Sequence, residues 1–538
     1  MSWQKAIALD ELTSGPSIFR TQFRDTSIDR VHKKQIALFQ ENGVIYAIDN
    51  RCPHEGYPLA EGTVDGDCVL TCNWHNWKFR LQDGECILGG DHVTAYPTKI
   101  EAGFVWIELS ASDLQAIERK IVAGLNVAFQ ERDFGRICRE ITRLEFNGCD
   151  PLNAVRESIS WASESLEYGT THSMPATADW IKLAGRYEDN WEKKLVCLSE
   201  AVDHFAWDSL RHPAYPFSAN TLEFDTHSFL QAIESEDHAT AEGMISQSLN
   251  SGLHWRELEE VFTKVALRHY NDFGHSLIYV HKVAPLLACL GDDLEQAILL
   301  PLTRSLCYST REDLIPEFKA YAPTLDQLCE PLLKPASSNE PLSSPFPANL
   351  EKSFEWIKES MPVYSVNEIY DVLLEACAKN WLYYELEYQS SYENPVSDNV
   401  GWLDFTHAIT FANAVRTQCE KFPKLWKQGL LQMACFLGRN RKYIDCDLNV
   451  EAFQVTDRDS FFTTVHEQLL DHGLRDPIFS AHLLKTTIAI EEELTIASES
   501  CGETMLSALN RFLNSPLKQK HTRRLARQAI ALVSRDFA

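Results

Sequence analysis

Residues 72–79 read CNWHNWKF, and their peculiarity is a cysteine and a histidine, Cys72 and His75, set among aromatic side chains. Upstream, residues 51–62 read RCPHEGYPLAEG and place Cys52 and His54 two positions apart. Each segment offers one thiolate and one imidazole.

Around these segments the sequence is written in short β-rich runs. Residues 34–48, KQIALFQENGVIYAI, are two such runs joined by Asn42-Gly43, a strong hairpin signal. CVLTC and FVWIEL follow, punctuated by Asp83-Gly84 and Gly89-Gly90. A small all-β domain over residues 1–110 is expected, with the two Cys/His segments as loops.

Such a donor set suits a [2Fe–2S] centre with both cysteines on one iron and both histidines on the other. Neutral imidazoles then replace two anionic thiolates and raise the potential. Structural zinc accepts the same four donors and stays open on donor type alone. Zinc-ribbon and finger loops seldom carry this aromatic packing, which favours the cluster.

CPHEGYPLAEG and CNWHNWKF resemble the two ligand loops of the Rieske family, a likeness that spans residues 3–109. The resemblance implies a [2Fe–2S] cluster held by Cys52, His54, Cys72 and His75. In the family's respiratory branch each loop holds one further cysteine, the two forming a disulfide; Tyr57 and Trp74 stand at those places here. The chain is therefore similar to the ferredoxin and oxygenase branch. Trp74, Trp77 and Phe79 are expected to cover the cluster, and the histidine edges to reach the surface as the electron exit.

After Ser110 the periodicity turns helical: Leu258, Val261, Phe262, Val265 and His269 recur at helical spacing, and DVLLEACAKNWLYYELEY and KLWKQGLLQMACFL read alike. A large all-α domain is expected from residue 111 onward. KPASSNEPLSSPFPAN, residues 334–349, cannot sustain a helix or a central strand, and is expected as a linker between 111–333 and 350–538. Thr-His recurs at His172 and His407. Each is followed by a Ser-Phe run and a further histidine helix, with His275 and His482, which suggests two related halves.

An electron needs an acceptor. HYNDFGHSLIYVHK offers Asp272, His275 and His281 as a two-histidine, one-carboxylate iron triad, but on a helix Asp272 and His275 share a face while His281 points away. A different resemblance covers the helical part. TTHSMPATADW, FGHSLIYVHKVAPLL, FTHAITFANAVR and SAHLLKTTIAIEEE look like the histidine-bearing helices of the questin oxidase-like family, which includes a mononuclear non-haem iron oxygenase that opens quinone rings. Carried across, the resemblance implies iron on His172, His275, His407 and His482, with Lys485 as a carboxylated lysine.

The residue chemistry is compatible with that set. Imidazole suits iron, and His482 and Lys485, three apart, share a helix face. An unmodified ammonium cannot ligate a metal; a carbamate could, and forming it requires a desolvated lysine with a lowered pKa. Taken singly, each of these histidines reads equally as a buried, hydrogen-bonded core residue. His204, His212, His227, His238, His269, His281, His466 and His472 stand in reserve should the register differ. A two-metal site would need bridging carboxylates; Glu491–Glu493 are present, but no Glu-x-x-His pair lies at matching positions.

The chain has 538 residues and a net charge of −27, which opposes nucleic-acid and anionic-membrane partners. Its basic segment Lys518–Arg527 reads as a solvated last helix. No secretion-type start and no run of eighteen apolar residues occurs, and fifteen irregularly spaced cysteines suit reduced thiols, so a cytoplasmic location is expected. The expected function is a non-haem iron oxygenase or oxidoreductase: a cluster fed by an external, ferredoxin reductase-like donor reduces a mononuclear Fe(II) that uses O2 on a small organic, aromatic or quinone-like, substrate. A homo-oligomer would serve if the cluster had to reach the iron of a neighbouring copy. The rival expectation is an electron carrier or redox sensor whose helices bind a partner and no metal.

With Tyr57 and Trp74 in place of two cysteines, fewer dipoles point at the cluster sulfurs. A redox titration followed by electron paramagnetic resonance should give a midpoint toward the low end of the range, about −150 mV rather than +300 mV.

Overall fold

The computed structural model describes residues 3–25, 30–109, 114–209, 213–334 and 340–534. His212 and residues 335–339 of the expected linker lie outside the described residues. Contacts divide the chain into two compact units, 1–127 with 142–150, and 128–141 with 151–538.

The first unit carries eleven strands: β1 (Trp3–Ala8), β2 (Ser17–Asp25), β3 (Arg30–Glu41), β4 (Val44–Asp49), β5 (Thr63–Val64), β6 (Val69–Thr71), β7 (Lys78–Arg80), β8 (Cys86–Leu88), β9 (Ala95–Tyr96), β10 (Thr98–Glu101) and β11 (Phe104–Glu108). They form three antiparallel sheets ordered β1-β11-β10, β2-β3-β4-β9 and β5-β6-β7-β8. The β3–β4 hairpin turns on Asn42 and Gly43, at φ 52° and 77°. Both residues tolerate positive φ, and that turn matches the twist of the flanking strands. Two apolar clusters fill the unit. One, around Leu38, Ala47, Val105 and Ile107, joins the first two sheets. The other, around Phe39, Ile48, Leu70, Phe79 and Leu81, takes in Cys52 and Cys72.

The second unit is all-α; twenty α-helices occur among the described residues. Residues 340–349 form neither helix nor strand, and Asn349 ends them by capping the Leu350–Ser360 helix, its side chain accepting from Lys352 N–H at 3.0 Å. The expected helix through DVLLEACAKNWLYYELEY stops at Leu382 and resumes at Leu386. Between them Tyr384 makes a β-bridge to Ile444, a distant pairing that local periodicity cannot register. Among the described residues one helical stretch, Asp272–Leu290, is long and apolar enough to cross a membrane, and 67% of its most apolar window is buried inside the protein.

Four helices carry the histidines of interest: Ser173–Ala184, with His172 as its N-cap; His275–Leu290; Trp402–Lys421; and Pro477–Glu493. The first packs on the second, the second on the third, the third on the fourth, and the fourth back on the first. This closed ring of four helices is a bundle core into which each can project one side chain.

A left-handed turn sets the start of the second helix. Asp272, Phe273 and Gly274 have φ of 50°, 46° and 82°, so Asp272 lies off the helix and does not share a face with His275, contrary to the helical reading of this stretch. A Cβ at Gly274 would come within 2.7 Å of the Phe411 ring. Gly274→Ala should therefore lower stability in urea unfolding by about 1–3 kcal/mol, from strain and forced ring movement together.

Candidate metal centres

The two Cys/His loops have one backbone design. In the first, Cys52 N–H donates to Tyr57 O at 2.8 Å and Gly56 N–H to Cys52 O at 2.8 Å; in the second, Cys72 N–H donates to Trp77 O at 2.7 Å and Asn76 N–H to Cys72 O at 3.0 Å. Each loop reverses through positive φ at its fifth residue, Gly56 at 81° and Asn76 at 62°. Those are residue types that reach this region at low cost.

The design buries both cysteines, 2% and 1% exposed, and brings His54 Nδ1 to 3.1 Å from His75 Nδ1. Burial chiefly, and the neighbouring Cys72, push the Cys52 thiol up to about 11, so a thiolate there needs a cation. Two buried sulfurs and two inward-facing imidazole nitrogens are a donor set that fits a [2Fe–2S] group. Glu55 adds a carboxylate 3.9 Å from His75 Nδ1.

Two tryptophans bracket the imidazoles. Trp77 stacks on His54, centroids 4.9 Å apart at 20°, and Trp74 on His75, 5.5 Å apart at 10°. Phe79 is wholly buried as expected. Trp74 departs from expectation as a cover, because it is 58% exposed: it shields one face of His75 and leaves the site open to solvent.

The four helical imidazoles converge. His275 Nε2 lies 3.0 Å from His172 Nε2, and His482 Nε2 lies 3.2 Å from His407 Nε2. Ring centroids are 4.4 Å apart for His275–His407 and 5.0 Å for His172–His482, which closes a quadrilateral. The donor atoms of His172, His407 and His482 all lie within 4.8 Å of one another.

The tautomers follow from the backbone. His275 Nδ1–H donates to Asp272 O, and His482 Nδ1–H to Ile478 O at 2.6 Å, so the Nε2 of each carries a lone pair into the centre. A backbone carbonyl on the outer nitrogen is the arrangement metal-bound histidines use to fix their orientation. Burial first, and then mutual repulsion and Lys485, hold His172 and His407 well below the ordinary imidazole range; burial and Lys485 do the same for His482 and bring His275 down to about 4. All four are neutral at pH 7, as ligation requires.

Lys485, one helical turn from His482, is 2% exposed, and its Nζ has no hydrogen-bond partner among the described residues. Burial pulls its ammonium down to about 8, against a smaller opposing pull from Asp179. A buried amine without a hydrogen-bond partner among the described residues thus sits beside the imidazoles with its ammonium form disfavoured.

The reserve histidines are engaged elsewhere. His269 pairs with Glu234 at 2.8 Å, His466 with Glu491 at 3.0 Å, His472 with Glu200 at 3.3 Å, and His238 accepts from or donates to Tyr308 at 2.8 Å. His227 is exposed. His281 is buried with neither ring nitrogen hydrogen-bonded, and it stays outside the cluster, as its helical position implies. His204 lies 3.7 Å from the Asp208 carboxylate.

Three features around the cluster escaped sequence reasoning. Tyr279, one turn past His275, places its ring 5.6 Å from His275 and 6.1 Å from His172; its i,i+4 spacing was a readable signal. Thr171 donates to Asp208 at 2.5 Å, tethering the segment that holds His172. Asp179 and Lys282 form a buried ion pair at 2.7 Å. Neither pair has a local sequence signal, because its members lie 37 and 103 residues apart.

Residues 2–97 match the family model described as Rieske [2Fe-2S] domain. The ferredoxin subunit of 3-phenylpropionate/cinnamic acid dioxygenase from Escherichia coli (strain K12) is 37% identical over 76 residues, covering 14% of this chain and 72% of that protein. Among solved structures, the ferredoxin of carbazole 1,9a-dioxygenase from Nocardioides aromaticivorans IC177 aligns at 19% identity over 20% of this chain and 100% of its own, with a TM-score of 0.17. The terminal oxygenase of the same system aligns at 20% identity over 21% of this chain and 31% of its own, also with a TM-score of 0.17.

Neutral burial of the imidazoles sets a pH dependence. Below about pH 6.5 the unfolded chain takes up protons that the folded cluster refuses, so stability falls with pH. For the metal-free protein, urea unfolding should show no loss from this source above pH 6.5 and a growing loss toward pH 4, where His275 alone accounts for on the order of 3 kcal/mol.

Proposed function

Because the chain belongs to the Rieske [2Fe–2S] family through residues 2–97, we propose that it is a two-centre oxidoreductase. Its Rieske domain is an electron-carrying domain homologous to ferredoxin subunits of aromatic dioxygenases, and implies a [2Fe–2S] cluster, here assigned to Cys52, His54, Cys72 and His75. Its helical unit holds a mononuclear Fe(II) on His172, His275, His407 and His482, with Lys485 as a carbamate. The reaction is O2-dependent oxidation of a small organic substrate, aromatic or quinone-like.

One observation carries this reading: four neutral imidazoles from a closed ring of four helices turn their Nε2 edges on one another at 3.0–3.2 Å within each pair. Mutual hydrogen bonding could satisfy two of the pairs, but it would leave Lys485 without a partner. When bound, the iron supplies O2 activation and the cluster supplies single electrons.

The chain's own residues prepare that chemistry. The carbonyls of Asp272 and Ile478 hold His275 and His482 in the one tautomer that leaves Nε2 free. Asp208 holds Thr171 and so the turn preceding Ser173–Ala184. The Lys485 amine, losing a proton as its nitrogen bonds to the carbon of CO2, becomes an anionic oxygen donor. Tyr279, its phenol held well above the ordinary range by burial, keeps its proton beside His275 and His172. Trp74, exposed and stacked on His75, marks the face where an external reductase-like donor or a neighbouring copy docks. Thirteen further cysteines outside any disulfide favour the reducing cytoplasm.

The rival reading is a carrier whose helices hold no metal. Iron per acid-labile sulfide separates the two: anaerobically prepared protein should give three to two for the two-centre enzyme and two to two for a carrier. His407→Ala with His482→Ala should return the ratio to two to two while the Rieske spectrum stays intact. Cys72→Ser should abolish that spectrum. A ratio of two to two in the unmodified protein would exclude the iron centre.

A further inference from the structure

A cleft of about 660 Å³ opens between the Tyr321–Gln327 helix, the Leu350–Ser360 helix and the C-terminal end of the Trp426–Asn440 helix, well within the size range of small-molecule sites. Its walls differ in chemistry. Leu350 and Phe354 give an apolar surface, Arg439 and Arg441 give two guanidinium groups, and Glu351 and Glu355, one turn apart and exposed, give two carboxylates.

Arg439 is the informative member. Its side chain is 15% exposed, and its five N–H donors find one partner among the described residues, Asp404, across a long 3.4 Å bond. Its guanidinium lies 4.5 Å over the Phe273 ring. Arg441 makes no ion pair or hydrogen bond among the described residues. Both guanidinium groups therefore keep donors free toward the cleft. Lys442, by contrast, lies over the Tyr443 ring, 4.9 Å from its centroid.

Arg439 also stands next to the imidazole cluster. Phe273 precedes His275 by two residues in the left-handed turn, and Asp404 precedes His407 by one helical turn. One side chain thus touches the cleft on one side and the supports of two cluster histidines on the other.

We propose that this cleft is a separate ligand site, and that its ligand is a flat hydroxyaromatic monocarboxylate. Its carboxylate is held by Arg439 and Arg441, its ring lies on Leu350 and Phe354, and its hydroxyl donates to Glu351 or Glu355. Guanidinium forks match a carboxylate bidentately. The two glutamates repel a second anionic group at the far end and accept from a neutral hydroxyl.

The test is a fluorescence titration of the full-length protein with 6-hydroxy-2-naphthoate, and with 2-naphthol as the form lacking the carboxylate. The acid should bind at least about tenfold more tightly, as one charge-assisted bidentate contact provides. Arg441→Gln, at the rim, should weaken the acid severalfold and leave 2-naphthol unchanged; Arg439→Gln should remove the remaining preference, and Arg439→Lys should restore part of it. Equal binding of acid and naphthol, or a preference that survives both glutamine variants, overturns the proposal. Since the titration needs no iron, Arg-dependent binding to a protein with two irons per two sulfides would sink the two-centre reading and leave the anion site standing.

Discussion

Four uncharged imidazoles brought edge to edge inside a helical bundle are the constraint on which the second unit is built. Ring nitrogens at 3.0–3.2 Å cannot all be protonated and cannot all present lone pairs without something to receive them. The backbone has already decided part of the answer, since Asp272 O and Ile478 O take the outer protons of His275 and His482. The closed ring of helices supplies the rest: each helix touches two others of the set, so no histidine can retreat without opening two interfaces. The same burial that keeps the imidazoles neutral brings Lys485 down to about 8, so amine and imidazoles are prepared by one physical cause.

The first unit solves a related problem at the surface. Two loops of identical hydrogen-bond pattern, reversing at Gly56 and Asn76, sink their cysteines into the apolar cluster around Phe79 and Leu70 and leave their histidines at the edge. Sulfur is thereby sheltered where desolvation strengthens its bond to a cation, and imidazole is left where an electron can leave. Trp77 and Trp74, stacked one on each imidazole, hold the ring planes without sealing them. The two histidine-bearing clusters share a residue type and differ in setting, solvent-edge in one and bundle core in the other.

Local grammar was legible wherever the deciding interactions are near in sequence. Asn42-Gly43 announces its hairpin because only two residues must adopt positive φ. The Cys/His loops are readable because six residues contain all their ligands and turn bonds. The helical histidines were legible as a set through the recurring Thr-His pattern and through resemblance, since each alone sits on an apolar stripe like any core residue. The turn at Asp272–Gly274 was read as helix because its left-handed conformation answers to Phe411 packing on Gly274, from a helix more than a hundred residues away. Likewise the break at Tyr383 answers to Ile444.

By itself the sequence determined the order of the parts: a β-domain with a Cys/His pair at each of two loop tips, then a long helical region whose periodicity buries a histidine on each of several helices. Those features depend on backbone preference and on spacing of three or four residues, which travel with the chain. The tertiary structure alone decided that His172, His275, His407 and His482 face one another while His269, His466 and His472 go to carboxylates, that Lys485 is left without a partner, and that Arg439 reaches from an open cleft toward the cluster. The reason is geometric: a quadrilateral of side chains drawn from positions up to 310 residues apart exists only once the helices have closed their ring.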